Sequence, residues 1–352
     1  MKLLAVSDSP DLPEAYQLIG LRERGYEVCV ACSDSASNRE LLIQKGISCE
    51  SLKLRSRFDL SGIRKIRSLY EDMKPEIVHY FTARAVSNGL IALRGTRSKQ
   101  VAYRGTVGRL SRLDPMSWLS FLNPGLDRIV CVSQAVEKYM REQGVPPHKL
   151  RTIYKGHDVN WYADTPFDLE QLDIPEGSFV VCCVANMRPV KGVDLLLKAF
   201  QQIDRKFPIH LILIGRLECR RAKKMLSQSD SRVHFLGPQT EASRFAQASD
   251  VVVLFSRCRE GLPKSIIEGM CLGRAPIVSD AGGMPELVEH AKCGLVVPRL
   301  DCEGLASAIM QLYSNRELLT QLGRAARERI LEKFSIDNSV CGIASLYEEM
   351  FQ

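Results

Sequence analysis

One stretch of the chain decides its fold class: Phe179-Val-Val-Cys-Cys-Val-Ala-Asn-Met-Arg-Pro-Val-Lys-Gly192. Its opening run is apolar without interruption, which is typical of a strand that is covered on both faces of a sheet. A turn with Pro189 and Gly192 follows, then an amphipathic helical pattern over residues 193–203 and a second apolar run over residues 209–214. Strand, helix and strand in this order predict parallel strands with helices packed on the sheet.

The same alternation extends from this unit in both directions. Apolar runs separated by amphipathic helical patterns predict further strands at residues 3–7, 26–31, 51–54, 77–80, 100–104, 128–132, 150–153, 233–236, 251–255, 275–278 and 295–297. The alternation breaks over residues 161–178, where prolines and acidic residues predict a linker. The sequence therefore predicts an α/β protein with two doubly wound domains, residues 1–165 and 166–337, with a ligand crevice at the carboxyl ends of the strands, between the domains.

Composition excludes several classes of protein. The 352 residues are 45% hydrophobic and 25% charged, so the chain is neither disordered nor of low complexity. Of its 48 basic and 41 acidic residues, residues 1–160 contain 25 and 17, a net charge of +8, which leaves −1 for the remainder. The basic first half predicts an anionic partner, either a nucleic acid or an anionic membrane surface, and simple solubility is the alternative.

The cysteines indicate a reducing compartment. Most of the 12 lie inside apolar runs, as Cys182 and Cys183 do, where a free thiol behaves as a small buried hydrophobic group. Cys29 and Cys32 are spaced as a CxxC pair, but in the middle of a predicted strand, which does not suit a redox or zinc site. With no signal-peptide pattern and no apolar run of 18 residues, the chain is predicted to be cytoplasmic, and any membrane contact would be peripheral.

The chemistry concentrates in loops that follow strands of the second domain. Glu260 and Glu268, in Glu260-Gly-Leu-Pro-Lys-Ser-Ile-Ile-Glu268, flank a strand-to-helix turn whose backbone amides and helix N-terminus can accept an anion. Carboxylates beside an anion site suit sugar hydroxyls, whereas solvated glutamates are the simpler interpretation. Arg188 and Lys191, in the turn after residues 179–185, would meet a phosphate if they are not merely a solvated basic turn.

A third loop of this kind is Asp280-Ala-Gly-Gly-Met-Pro-Glu286. Its adjacent glycines, Gly282 and Gly283, allow a ligand to approach the backbone closely, and a plain turn before a helix is the alternative. Because all three loops follow strands of one parallel sheet, they are expected to open on the same edge of it.

Together these motifs resemble the retaining glycosyltransferases of family GT4, which have the GT-B fold. The resemblance implies two Rossmann-like domains facing across a cleft, with residues 338–352 forming a helix that packs back on the N-terminal domain. It implies a nucleotide-diphosphate sugar donor, transfer with retention of anomeric configuration, no metal and no cofactor. Accordingly, the sequence contains no Asp-x-Asp motif of the metal-dependent kind.

The resemblance also implies roles for individual residues. Arg188 and Lys191 would neutralise the donor diphosphate, Glu260 would bind hydroxyls of the donor sugar, and Glu268 would bind the ribose. His79 resembles the family's strand-end histidine and would be a catalytic residue, and a purely structural histidine at the end of a strand is the alternative. The remaining donor contacts would come from Asn186, Leu236, Gly261, Leu262, Pro263, Lys264, Ser265 and Gly283.

The sequence departs from the family pattern in three places. Asn186 stands where the family has an arginine, so Arg188 is expected to substitute for it. Asp8-Ser-Pro-Asp-Leu-Pro13 replaces a Gly-Gly loop after the first strand. Arg104-Gly105 replaces a His-Gly pair, and since a guanidinium cannot act as a base, Arg104 is expected to contact an anionic or polyhydroxylated acceptor, with Gly105 also on the acceptor side. The resemblance places Asp158 and Asn160 in the family's inter-domain loop, where they are expected to line the cleft on the acceptor side.

The basic first half then fits an acceptor domain. Basic residues lie near an apolar segment with Trp118 and Phe121, which suits a membrane interface, although core packing of the two rings is the alternative. The expected acceptor is a glycan or a lipid-linked molecule of the bacterial envelope, such as a lipopolysaccharide precursor, with contact to an anionic membrane.

Other functions fit less well. A nucleotide-sugar epimerase of the same fold is the main alternative, and it would need acid and base residues that these loops do not offer. A phosphorylase would need a lysine site for pyridoxal phosphate, and a dinucleotide-dependent dehydrogenase a Gly-x-Gly-x-x-Gly after the first strand, which residues 7–14 lack. A nucleic-acid-binding protein fits the charge but not the paired glutamates, so no nucleic-acid partner is predicted.

Overall fold

The computed structural model describes residues 1–162 and 165–352. It divides the chain into two compact units. The first contains Met1–Gly156 together with Phe334–Gln352, and the second contains His157–Lys333. The last segment of the chain thus belongs to the first unit, as the family resemblance implies.

The first unit is built on a seven-stranded parallel sheet in the order β3-β2-β1-β4-β5-β6-β7. Its strands are β1 Lys2–Val6, β2 Glu27–Cys32, β3 Ser48–Ser51, β4 Ile77–Tyr80, β5 Lys99–Arg104, β6 Arg128–Cys131 and β7 Leu150–Thr152. Its helices are α1 Leu12–Glu23, α2 Arg39–Gln44, α3 Leu60–Met73, α4 Ala83–Ala92, α5 Pro115–Trp118, α6 Gln134–Glu142 and, at the other end of the chain, α14 Ile336–Glu349.

The second unit is built on a six-stranded parallel sheet in the order β10-β9-β8-β11-β12-β13. Its strands are β8 Phe179–Val184, β9 Ile209–Ile214, β10 Val233–Gly237, β11 Val251–Leu254, β12 Ala275–Ser279 and β13 Leu295–Val297. Its helices are α7 Val193–Phe200, α8 Arg220–Leu226, α9 Ala242–Gln247, α10 Lys264–Cys271, α11 Met284–Leu287, α12 Cys302–Ser314 and α13 Arg316–Lys333.

The reversal of strand order fixes where each unit can bind a ligand. In the second unit β8 lies between β9 and β11, so the chain turns to opposite sides of β8 in its two halves. Helices on both faces bury β8 and β9, which is why these strands read as unbroken apolar runs. Ligands of such sheets bind at the carboxyl ends of the strands where the order reverses.

Two predicted boundaries differ from the observed ones. The third strand is Ser48–Ser51, whereas the apolar residues Leu52 and Leu54 predicted residues 51–54; both leucines are buried, but they follow the strand. The units separate at residues 156 and 157, not at 165 and 166, because a 3₁₀ turn over Val159–Tyr162 packs against α10 of the second unit. Ala163 and Asp164, inside the predicted linker, lie outside the described residues.

Helix α14 completes the core of the first unit. The apolar face of α14 packs against α1. There Val340 and Ile343 join the hydrophobic cluster that includes residues of β1 and β2. Tyr347 is fully buried there, and its hydroxyl shares a hydrogen bond of 2.7 Å with Nδ1 of His79. His79 itself is 1% exposed and stacks on Phe81.

No helix in the described parts of the chain is both long enough and apolar enough to cross a membrane.

The buried histidine predicts a pH-dependent stability. Burial lowers the pKa of His79 to about 3, so in the folded chain it stays neutral while in the unfolded chain it gains a proton near pH 6.5. Its contribution to stability is therefore complete above pH 6.5 and is lost as pH falls toward 3, by about 1.4 kcal/mol per pH unit. Urea unfolding at pH 7 and pH 5 should show a smaller loss in His79→Gln than in the unchanged chain.

The control is His148→Gln, because His148 is exposed. It should keep the pH dependence of the unchanged chain. An identical pH dependence in all three proteins would contradict the prediction.

Candidate active site

A cavity of about 630 Å³ opens at the carboxyl edge of the second sheet. Its wall combines the turn after β8, the segment that leads into α9, the N-terminal half of α10 and the 3₁₀ turn over Val159–Tyr162. The lining residues are Trp161, Tyr162, Val184, Ala185, Asn186, Arg188, Lys191, Gln239, Thr240, Glu241, Ala242, Ser243, Pro263, Lys264, Ser265 and Glu268. The cavity lies at the edge where the reversed strand order predicts a ligand.

A mostly buried ion pair lies beside this cavity. Lys191 Nζ donates to Glu260 Oε1 at 2.8 Å, and the hydroxyl of Ser256 donates to the same oxygen at 2.6 Å. The side chains of Lys191 and Glu260 are 17% and 7% exposed. Lys191 also belongs to the cavity wall, so its ammonium group connects Glu260 with the open space.

The turn that carries Lys191 is held in place by a second ion pair. The guanidinium of Arg257 donates to both carboxylate oxygens of Asp194, at 2.7 and 2.8 Å, and to the carbonyl oxygen of Pro189 at 2.8 Å. Burial opposes ionisation of Asp194, but the hydrogen bonds and charge of Arg257 outweigh it and keep the pKa of Asp194 below its ordinary value. Bidentate contacts of this kind fix geometry as well as charge.

Gly192 ends the same turn in the left-handed region, with φ of 64°. A Cβ atom there would lie 2.0 Å from the carbonyl oxygen of Phe255. Only glycine therefore allows the turn to approach the loop after β11 so closely.

A second close approach fixes the backbone of Glu260. Gly282 has φ of 59°, and a Cβ atom on it would lie 2.0 Å from the carbonyl oxygen of Glu260. The N–H of Gly283 donates to that same oxygen at 3.1 Å. The two glycines thus position the main chain of Glu260, and they do not line the cavity.

Helix α10 directs its N-terminus toward the cavity. Pro263 precedes the helix, and in the described structure no side chain caps it. Pro263, Lys264 and Ser265 line the cavity, so the first backbone N–H groups and the positive end of the helix dipole are available to an anion. One turn further on, Glu268 lies 3.3 Å from Lys264 Nζ and also lines the cavity.

Arg188 carries an unsatisfied donor into this environment. Its Nε atom is buried and has no hydrogen-bond partner among residues 1–162 and 165–352. A buried donor without a partner is costly, and an anion in the cavity would satisfy it.

The structure brings together only part of the predicted site. Asn186, Arg188, Lys191, Pro263, Lys264, Ser265 and Glu268 line one cavity, whereas Glu260, Gly261, Leu262, Leu236 and Gly283 lie outside its wall in the described structure. Glu260 is linked to the cavity by its ion pair with Lys191, which lines the wall. Gly283 donates its N–H to the carbonyl oxygen of Glu260.

Two predictions for the first half need correction. His79 lies in the core beneath α14, so its ring reaches no substrate in this structure. Asp158 belongs to the second unit, where its carboxylate accepts from the N–H of Asn160 at 2.9 Å. Arg104, the last residue of β5, is mostly buried, and Gly105 follows it in the first unit.

Sequence reasoning missed the residues that position the site. Ser256, Asp194 and Arg257 do not line the cavity, and the one signal of their role in the sequence is an acid, Asp194, among the buried residues of α7. Gln239, Thr240 and Glu241, in a polar loop after β10, and the aromatic pair Trp161 and Tyr162 in the predicted linker also line the cavity. No spacing pattern marks them.

Comparison with known proteins identifies the family. Residues 164–329 match the model described as "Glycosyl transferases group 1", and residues 16–161 match "Glycosyltransferase Family 4". The chain therefore belongs to the GT4-type glycosyltransferases, and its two Rossmann-like units have the GT-B fold.

Individual relatives agree with this assignment. The N-acetyl-alpha-D-glucosaminyl L-malate synthase of Bacillus anthracis is 27% identical over 234 residues, 64% of this chain and 60% of that protein. The phosphatidyl-myo-inositol mannosyltransferase of Mycolicibacterium smegmatis is 24% identical over 324 residues, 88% of this chain and 82% of that protein. The chain thus spans about three fifths of the first of these relatives.

Among solved structures, the Anabaena protein Alr3699/HepE, in complex with UDP and glucose, superposes with a TM-score of 0.82. The alignment covers 99% of this chain and 100% of that chain at 22% identity. At this identity the similarity establishes the fold.

The contact between Gly282 and Glu260 can be tested with a matched pair of variants. Gly282→Ala and Gly273→Ala both place alanine in the left-handed region, at φ of 59° and 71°, but an added Cβ at Gly273 meets nothing closer than 3.9 Å. The left-handed backbone costs both about 1–2 kcal/mol, and the contact with Glu260 should make Gly282→Ala clearly the less stable. Thermal unfolding measures the difference, and equal melting temperatures would contradict the close approach.

Proposed function

We propose that this protein transfers a sugar from a nucleotide-diphosphate sugar to a glycan or lipid-linked acceptor, with retention of anomeric configuration. The observation that carries the proposal is the cavity at the carboxyl edge of the second sheet. It combines Arg188, Lys191 and the N-terminus of α10 as a set of groups for an anion, with carboxylates on either side. This is the arrangement that a sugar diphosphate requires.

The cations would act on the leaving group. Breaking the bond between the sugar and the diphosphate leaves negative charge on the diphosphate, and donors that are already in place stabilise that charge in the transition state. Lys191 and Arg188 would supply positive charge, and the N–H groups at the start of α10 would supply further donors. The chain's own residues thus provide the charge stabilisation that the departure of the diphosphate needs.

The carboxylates would orient the donor. Glu260, whose Oε1 is occupied by Lys191 and Ser256, would keep Oε2 for hydroxyls of the sugar. Glu268 lines the cavity on α10 and would accept hydrogen bonds from the ribose. Because Lys191 contacts both Glu260 and the cavity, it would place the sugar and the diphosphate relative to one another.

The relatives support this choice of donor. The Anabaena structure of the same fold contains UDP and glucose, and the Mycolicibacterium relative is named as a mannosyltransferase. The name of the Mycolicibacterium enzyme includes a lipid, phosphatidyl-myo-inositol, which favours a lipid-linked acceptor of the cell envelope here.

Lys191→Ala tests the donor site. It removes a cation from the diphosphate and leaves the Glu260 carboxylate mostly buried without its counter-ion, so transfer should fall by a few orders of magnitude, and Glu260→Ala should do the same. Thermal shift with nucleoside diphosphates identifies the base that stabilises the unchanged chain, and that stabilisation should disappear in Lys191→Ala. Lys198→Ala, an exposed lysine on α7, is the control and should retain both properties.

Unchanged turnover in Lys191→Ala or Glu260→Ala would overturn the site assignment. Incubation of the donor without acceptor separates transfer from epimerisation. An epimerised nucleotide sugar in that mixture would overturn the proposed transferase.

A membrane surface is the proposed location of the acceptor. Around α5, large apolar side chains are exposed: Leu113 by 95%, Trp118 by 48%, and Phe58 and Leu60 by 59% and 56%. Phe121, by contrast, is buried. Arginines at 55, 57, 109 and 112 lie in the same segments, so the apolar groups are accompanied by positive charge that an anionic lipid surface complements.

Vesicle co-sedimentation tests this surface. Vesicles with anionic phosphatidylglycerol should bind the chain, and binding should weaken with salt. The double change Leu113→Ser and Trp118→Ser should reduce binding about tenfold or more, because apolar area of two large side chains is lost. Leu300→Ser and Leu331→Ser, exposed leucines of the second unit, form the control; equal loss in both proteins, or binding that ignores charge, would contradict the prediction.

A further inference from the structure

Three arginines at the carboxyl edge of the first sheet form no ion pair with a carboxylate among residues 1–162 and 165–352. Arg57 lies in the loop after β3, Arg104 ends β5, and Arg109 lies in the loop that follows. In a parallel sheet these loops share one edge, which is the edge where ligands bind. None of the three arginines has a role in the donor cavity of the second unit.

Arg104 is the centre of the group. It is 8% exposed, and its guanidinium lies 4.7 Å from the centre of the Phe121 ring. One of its terminal nitrogens donates to the carbonyl oxygen of Gly108. Its Nε atom is buried without a hydrogen-bond partner, and no carboxylate pairs with it, within residues 1–162 and 165–352.

The other two arginines add charge of the same sign. Burial is the largest cause that lowers the pKa of Arg104, and the positive charges of Arg57 and Arg109 lower it further. Arg57 is half-buried and donates to the carbonyl oxygen of Met116 at 2.9 Å, so its guanidinium is directed toward α5. Positive charges near one another disfavour each other, and an anion bound beside them would relieve that repulsion.

Backbone conformation and two hydrogen bonds to Tyr139 fix the loop that contains Arg109. Gly108 and Arg109 are both in the left-handed region, with φ of 90° and 67°. The next residue is fixed on both sides, because the N–H of Leu110 donates to the hydroxyl of Tyr139 at 2.9 Å and that hydroxyl donates to the carbonyl of Leu110 at 3.2 Å. A residue other than glycine is held there in a conformation that it rarely adopts.

Other arginines of the first unit show the contrast. Arg84 pairs with Asp8 at 2.9 Å, and Arg141 pairs with Glu137 at 2.7 Å. In the described parts of the chain, Arg57, Arg104 and Arg109 have no such pair. What distinguishes this group is Arg104, which is buried and has a donor atom, Nε, without a hydrogen-bond partner in the described parts of the chain.

We infer that Arg57, Arg104 and Arg109 form a binding site for a phosphate group of the acceptor. Guanidinium groups match the oxygens of a phosphate with paired hydrogen bonds, and a phosphate supplies enough negative charge for a group of three cations. The inference rests on the proposed function, whose acceptor it narrows to a phosphate-bearing molecule. The apolar side chains of Leu113, Met116 and Trp118, in the same segments, make a lipid phosphate the expected source.

The structure offers room for an apolar chain beside the phosphate. Phe121, under the guanidinium of Arg104, also lines a small apolar cavity of about 150 Å³ with Trp118, Leu122 and Pro146. Its ring therefore separates a cationic site from an apolar one. An amphiphilic molecule with a phosphate head would use both sides.

The test measures binding of short-chain probes by isothermal titration calorimetry at fixed ionic strength. The protein carries Lys191→Ala, which removes a phosphate-binding cation from the donor cavity. The probes are dihexanoyl phosphatidate, glycerol 3-phosphate and inorganic phosphate. In this background the double variant Arg57→Gln, Arg109→Gln should bind phosphatidate at least about tenfold more weakly, since each charged hydrogen bond is worth roughly that factor.

The control removes the same charge elsewhere in the unit. Arg94→Gln with Arg97→Gln changes two exposed arginines, and it should bind phosphatidate as the parent does. Both double variants should unfold at the temperature of the parent. Tighter binding of phosphatidate than of glycerol 3-phosphate assigns the site to a lipid phosphate, and equal binding assigns it to a water-soluble phosphate; both results support the site.

Two results would overturn the inference: equal loss of phosphatidate binding in the two double variants, or no binding of any probe by the parent. Neither result bears on the donor site, because stabilisation by nucleoside diphosphates depends on Lys191 in the second unit. If nucleoside diphosphates stabilise the unchanged chain but the Lys191→Ala parent binds no phosphate probe, the phosphate site alone is refuted. Binding of phosphatidate through the arginines, together with no stabilisation of the chain with Lys191 intact by any nucleoside diphosphate, would support the phosphate site and refute the proposed transferase.

Discussion

The ion pair between Lys191 and Glu260 is the interaction on which the second unit's site depends. It joins the turn after β8 to the loop after β11, and each partner is held by further contacts: Lys191 through the Arg257–Asp194 pair and Glu260 through the glycines at 282 and 283. A mostly buried pair of this kind is costly to break, by about 3–5 kcal/mol, because it leaves one charge unpaired. The same ion pair therefore sets the geometry of the proposed donor cavity and stabilises the loops that form it.

This arrangement explains why a site for an anion can be maintained before the anion arrives. Lys191 has the carboxylate of Glu260 as its partner, whereas the Nε atom of Arg188 has no hydrogen-bond partner among residues 1–162 and 165–352. The first cation is stabilised by the fold and the second by the ligand. Such a division gives a preorganised site that would still gain free energy on binding the proposed diphosphate.

The sequence was most informative where physical chemistry leaves few choices. The unbroken apolar runs at residues 179–185 and 209–214 predicted buried parallel strands. The glycines at 282 and 283 were expected to admit a ligand, but Gly282 instead approaches the backbone of Glu260. The sequence was least informative about contacts between distant segments. His79 looked like a site residue because it ends a strand, but its position was decided by α14, more than 250 residues further along the chain. Likewise, no sequence pattern predicts that Asp194 and Arg257 form an ion pair.

Helix α14 has a consequence for the order in which the molecule is made. The first unit contains residues 1–156 but obtains part of its core from residues 334–352, which include Tyr347 and Val340. A ribosome synthesises the whole second unit between those two segments. The second unit can therefore complete its core first, while the N-terminal sheet waits, with the surface around His79 and Tyr26 still uncovered, for the final helix to emerge.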